Sequence, residues 1–98
     1  MVVLFYSYDD FHMEKLNQSL ILNSFGNHLK KVRHEVGLSQ EEVADRADSH
    51  PTYISLVETG KRNPTITVVY QIADALGVQA HTLLPELINK EKEEDSDE

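Results

Sequence analysis

Between residues 24 and 88 apolar positions recur every three or four residues, broken by short polar or glycine-bearing stretches. This is the pattern of several amphipathic helices sharing one core. Phe25, Leu29, Val32 and Val36 fall on one helical face, with Ser24 placed as an N-cap and Gly37 as a stop. Ser39-Gln40-Glu41-Glu42 opens a second helix. It reads as a capping box, in which the Ser39 hydroxyl and the Glu42 carboxylate satisfy end donors reciprocally. That helix runs to about Asp48 and buries Val43 and Ala47. A third starts at Ser49 or His50, with Pro51 in the first turn, where a missing N–H costs nothing. It turns Ile54 and Val57 inward and stops near Thr59-Gly60. Thr65 caps a fourth, whose Ile66, Val69, Ile72, Ala73 and Leu76 form a broad apolar stripe before Gly77. A fifth, roughly Ala80–Asn89, contributes Leu83, Leu84, Leu87 and Ile88. The expected fold class is all-α, a compact five-helix domain.

The flanks differ from this core. Residues 1–23 form an N-terminal arm in which Val2, Val3, Leu4, Phe5, Tyr6 and Tyr8 read as a strand or a sticky extended segment. A short helix carrying Phe11, Leu16 and Leu20 follows. Two readings stay open for its start: translation begins at Met13, or the arm packs between two subunits, since an exposed apolar strand invites partners. Residues 90–98 have no apolar side chain and are expected to be a disordered acidic tail. The division is an arm at 1–23, a domain at 24–89 and a tail at 90–98.

Charge complicates any nucleic-acid reading. The formal net charge is −8, whereas nucleic-acid binders usually carry a basic footprint. Its distribution matters more than its total. Residues 86–98 hold a net −5, residues 1–23 a net −2, and residues 24–85 only −1. A nearly neutral core still binds phosphate if Lys30, Lys31, Arg33, Arg46, Lys61 and Arg62 gather their charge on one face, with modest non-specific affinity. The absence of cysteine excludes disulfides, thiolate metal sites and thiol nucleophiles. The longest apolar runs are far short of a bilayer span, and the start has no signal-peptide pattern. The expectation is a cytoplasmic protein with no membrane association.

The second and third helices, with the Asp48-Ser49-His50 turn between them, have the length pattern of a helix-turn-helix. Its second helix enters the major groove with its N-terminal residues on base edges. With Ile54 and Val57 inward, Pro51, Thr52, Ser55 and Leu56 point away and Tyr53 lies at the border. Three separated segments, Leu38–Ala44, Thr52–Thr65 and Ala73–Val78, resemble in sequence and order the XRE (phage repressor and Cro-like) helix-turn-helix family. The likeness covers about 60 of the 98 residues, Ser24 to Leu84. It implies a lambda-repressor-like DNA-binding domain, and the Thr-Tyr-Ile-Ser run and small size look most like restriction–modification controller regulators. The resemblance also implies roles. His50, Pro51, Thr52, Ser55 and Leu56 match positions that meet base edges. Gln40, Tyr53, Lys61, Arg62 and Asn63 match phosphate contacts, and Arg33 and Glu58 match a buried ion pair between the first and third helices. Pro51 departs from the many relatives with a long polar donor there, which leaves apolar contact with a thymine methyl as the readout.

Plainer readings account for the remaining polar residues. Pairing with Arg33 explains Glu58 better than catalysis does. His12, His28, His34, His50 and His81 lack metal-ligand spacing, and capping explains Ser39. No nucleophile–base pair is present, so no enzyme, cofactor or metal is expected. The expected function is a transcriptional regulator, a repressor type included, that binds double-stranded DNA at a palindromic operator as a homodimer. Val68–Tyr70 and Leu83–Ile88 read either as ordinary core or, since they exceed what one small domain must bury, as the dimer surface. The alternative is a protein-interaction module, antitoxin-like or a co-regulator, on the same fold.

Overall fold

A computed structural model describes residues 16–87. Within them the chain forms four α-helices: α1 (Gln18–Val36), α2 (Gln40–Arg46), α3 (Pro51–Glu58) and α4 (Ile66–Leu76). A single 3-10 turn, Ala80–Leu83, follows. No strand occurs among the described residues. The apolar arm at 2–8 and the acidic tail at 90–98 lie outside them.

Two boundaries differ from the sequence expectation, each for a local reason. Helix α1 starts at Gln18 and runs unbroken through Ser24, the expected cap. Asn17, an equally good capping residue, holds the end instead: its Oδ1 accepts the Leu20 N–H at 2.8 Å. Nothing between Asn17 and Ser24 breaks a helix, and Leu20 and Leu22 favour one. The fifth helix is replaced by the 3-10 turn. Pro85 has no N–H to donate, and its ring would clash with the carbonyl one helical turn back. It also biases the preceding residue to extended backbone, and Leu84 sits there at φ −99°, ψ 107°. Among the described residues the domain therefore has four helices and a turn rather than five helices; Ile88 and Asn89 of the expected fifth helix lie outside them.

The core lies where the four helices converge. Phe25, Leu29 and Val32 of α1 meet Val43 and Ala44 of α2, Ile54 and Val57 of α3, and Val69, Ile72, Ala73, Ala75 and Leu76 of α4. Leu83, wholly buried, closes the base. A second tie links the ends of the fold: His28 Nε2 lies 2.7 Å from the Thr82 carbonyl oxygen. Two residues expected inside are outside, Val36 at 41% and Ile66 at 66% exposure. Val36 occupies the last turn of α1 and Ile66 the first turn of α4.

Gly26 explains how closely α1 approaches α3. A Cβ there would press on the carbonyl oxygens of Val57 and Glu58 and lie 2.7 Å from the Glu58 carbonyl carbon. Only a hydrogen fits. That close crossing sets α3 firmly against the scaffold.

Candidate nucleic-acid interface

The helix-turn-helix is built from local chemistry at each junction. Helix α2 opens with a complete capping box: Ser39 Oγ accepts the Glu42 N–H at 3.0 Å, and Glu42 Oε1 accepts the Ser39 N–H at 2.8 Å. That backbone N–H, bonding the ionised carboxylate, is the main cause holding the Glu42 carboxyl below its ordinary range; desolvation opposes it, and the Ser39 side chain and the Arg46 charge add smaller lowering contributions. Helix α2 ends in a Schellman motif: the Ser49 N–H donates to Ala44 O at 2.8 Å and the Asp48 N–H to Asp45 O at 3.3 Å. Asp48 takes the left-handed conformation this requires, φ 57°. The chain then restarts at once, with Pro51 as the first residue of α3 and His50 as its N-cap.

Helix α3 is anchored along its back and open along its front. Ile54 and Val57 are 0% and 1% exposed. Thr52 and His50 are exposed, while Pro51, Ser55 and Leu56 are half-buried. Thr52 lies one turn before Ser55 and Leu56, so the three share a side of the helix. Tyr53 is half-buried and packs on the core cluster. The arrangement presents the leading turn of α3 to a groove-sized approach.

The basic loop follows directly. Lys61, Arg62 and Asn63 are all exposed, beyond a left-handed Gly60 whose Lys61 N–H returns to the Leu56 carbonyl at 2.8 Å. Arg62 Nη1 donates to the Lys61 carbonyl at 3.1 Å, which curls that side chain along the loop. Asn23 of α1 packs where a Gly60 side chain would go, so the extended start of α1 braces this loop.

A charged node underlies both elements. Glu58, the last residue of α3, is buried and accepts from Arg33 Nε at 2.6 Å and Arg33 Nη2 at 3.1 Å. Arg33 Nη1 also donates to the Leu38 carbonyl at 2.9 Å. Bidentate pairing of this kind is strong and directional. Gln40 joins the node, donating from Nε2 to Glu58 Oε1 at 3.0 Å. Sequence reasoning missed this last link, as it missed the Asn17 cap, the left-handed backbone of Asp48, the Asn23–Gly60 contact and the crossing at Gly26. Asn17 alone carried a signal, as a residue type that caps helices.

Among the described residues no three His, Asp or Glu side chains group as metal ligands would, and no helix is long and apolar enough to cross a membrane. The depression between the turn and α4 is lined by Ala47, Asp48, Ser49, Tyr53, Val68, Gln71 and Ile72.

Known proteins share this arrangement. The helix-turn-helix family model matches residues 29–83, more than half the chain. The uncharacterized HTH-type transcriptional regulator y4dJ of Sinorhizobium fredii is 45% identical over 53 residues, 54% of this chain and 69% of that protein. The control protein C.BamHI of Bacillus amyloliquefaciens is 41% identical over 61 residues, 61% of this chain and 75% of that one. Among solved structures, the restriction-modification controller protein C.AhdI from Aeromonas hydrophila superposes with a TM-score of 0.68 at 30% identity, covering 70% of this chain and all of that one. The chain belongs to the XRE-type helix-turn-helix family.

Proposed function

We propose that this protein is a sequence-specific DNA-binding transcriptional regulator acting as a homodimer on a palindromic operator. One observation carries the reading: α3 buries Ile54 and Val57 while leaving Thr52 and His50 open, beside the exposed Lys61-Arg62-Asn63 loop. A helix held by its back and flanked by cations suits a major groove bounded by phosphates. His50, Pro51, Thr52, Ser55 and Leu56 meet base edges; Gln40, Tyr53, Lys61, Arg62 and Asn63 meet the backbone. In the dimer the two α3 helices enter successive major grooves about one turn, ~34 Å, apart. The names of y4dJ and C.BamHI, a transcriptional regulator and a control protein, point the same way.

Selection of bound duplexes from a random pool, followed by sizing of the complex, tests the whole reading. It is expected to return an inverted repeat bound by two chains. Thr52→Ala is expected to weaken the selected duplex by about 1–3 kcal/mol and random duplex far less, whereas Arg62→Ala weakens both and flattens the salt dependence. Equal losses from Thr52→Ala on both duplexes would remove it from the base-reading set. The net charge of −8 favours a second reading, a protein-interaction module on the same fold. That module would bind no duplex selectively even at low salt.

A further inference from the structure

We infer that Glu58 is a positioning residue for the DNA backbone contact: its buried carboxylate fixes the Gln40 carboxamide so that one amide N–H is held ready for a phosphate. The inference rests on the DNA-binding reading above and adds to it a coupling between the end of α3 and the phosphate anchor on α2.

Glu58 is 4% exposed and paired with Arg33, so it is an ionised group with acceptors only. Arg33 supplies two donors and the Gln40 amide the third. An amide oxygen turned toward Glu58 would set acceptor against acceptor, so the NH2 end must face it. Chemistry therefore decides the amide orientation, which electron density alone commonly leaves open. An NH2 group carries two hydrogens on one planar nitrogen. With one spent on Glu58, the other points away from it, and Gln40 is only half-buried. A phosphate oxygen arriving there meets a donor whose side chain is already ordered, so the entropy of fixing a long side chain is not charged to binding. Arg33 balances the charge of Glu58, so the carboxylate behind the amide does not repel the phosphate. The plainer alternative is that Gln40 merely fills the last acceptor site of a structural ion pair.

Nitrogen-15 NMR of the Gln40 side-chain amide in the intact chain separates the two, with Gln40→Met identifying its signals. In the free protein one amide proton is expected to be shifted downfield and protected from exchange. On adding duplex, random or selected, the second proton shifts in turn. In affinity measurements Gln40→Met is expected to lose roughly tenfold, the scale of one hydrogen bond to a charged group. Glu58→Gln is expected to lose affinity in the Gln40 chain and nothing further in the Gln40→Met chain. An equal loss in both backgrounds assigns Glu58 a structural role alone and overturns the inference. So does a complex that forms with the second proton unmoved, a result that leaves the DNA-binding reading intact. If Glu58→Gln does not fold, because Arg33 is left buried without a partner, the spectrum of the intact chain decides. Absence of any duplex binding would remove both readings together.

Discussion

At Asp48 the backbone turns left-handed at φ 57°, a conformation that Gly37, Gly60 and Gly77 adopt at the ends of the other three helices. For an L-residue it costs roughly 1–2 kcal/mol, and a carboxylate at a helix C-terminus meets the negative end of the helix dipole. Glycine removes both costs and returns about 0.5–1 kcal/mol as unfolded-chain freedom. Asp48→Gly is therefore expected to stabilise the domain by about 0.5–1 kcal/mol, read as a rise of several degrees in Tm. Gly26 tests the opposite sign. Helix propensity alone says Gly26→Ala gains about 1 kcal/mol. The carbonyls of Val57 and Glu58 occupy the space of the new methyl, and overpacking of that kind costs about 1–3 kcal/mol, with contact against backbone at the upper end. The expected net is a loss of about 1–2 kcal/mol and a lower Tm. Neither residue's role was legible from the sequence alone. Asp48 had an ordinary turn residue's identity, and the clash at Gly26 exists only once α1 and α3 cross. By contrast the inward pair Ile54 and Val57 was plain from spacing, because the 3.6-residue period fixes which side chains share a face.

Element ends show how far local chemistry reaches. Ser39, Thr65, Gly37 and Gly77 stand where the sequence placed them, since each cap is a contact within four residues of itself. The errors arose where two local signals competed. Ser24 and Asn17 were both capable caps, and the leucines between them let the more distant one win. At the other end, the apolar run Leu83–Ile88 suggested a helix, but Pro85 outweighed it. The capping box of α2 also yields a pH prediction. The folded state holds the Glu42 carboxyl below its ordinary value of 4.5, so its contribution is complete above that value and is lost as pH falls through the depressed one. Glu42→Gln keeps an acceptor at this position but removes the titration. The wild-type chain is expected to melt above Glu42→Gln at pH 7, and the gap should close as the pH falls below 4.5 and through the depressed folded-state value. A gap that persists unchanged into acid would mean the carboxylate charge contributes nothing to the start of α2.

At the scale of the whole molecule, charge and exposed apolar surface bear on the same question. The segment that carries the proposed interface, residues 24–85, is close to neutral at −1, and the acid excess sits in the flanks. One such domain offers a short basic loop and a single reading helix, which gives modest affinity and reads few base pairs. Two copies double both, provided a face exists to join them. Ile66 and Tyr70 are one helical turn apart on α4 and 66% and 62% exposed, and Leu84, after the 3-10 turn, is 55% exposed. Exposed large apolar side chains one turn apart, as Ile66 and Tyr70 are, mark interaction surfaces, and a two-fold interface would use that patch on both copies. A lysine at Tyr70 would place like charges opposite each other across that axis without disturbing a core that Tyr70 does not enter. Tyr70→Lys is therefore expected to sediment as a monomer at concentrations where the parent chain is a dimer, with unchanged Tm of the isolated fold. On DNA it should bind a half-site as well as the parent does, while losing at least tenfold on the full inverted repeat. A Tyr70→Lys chain that still sediments as a dimer would move the joining surface elsewhere, with residues 1–15 the next segment to remove.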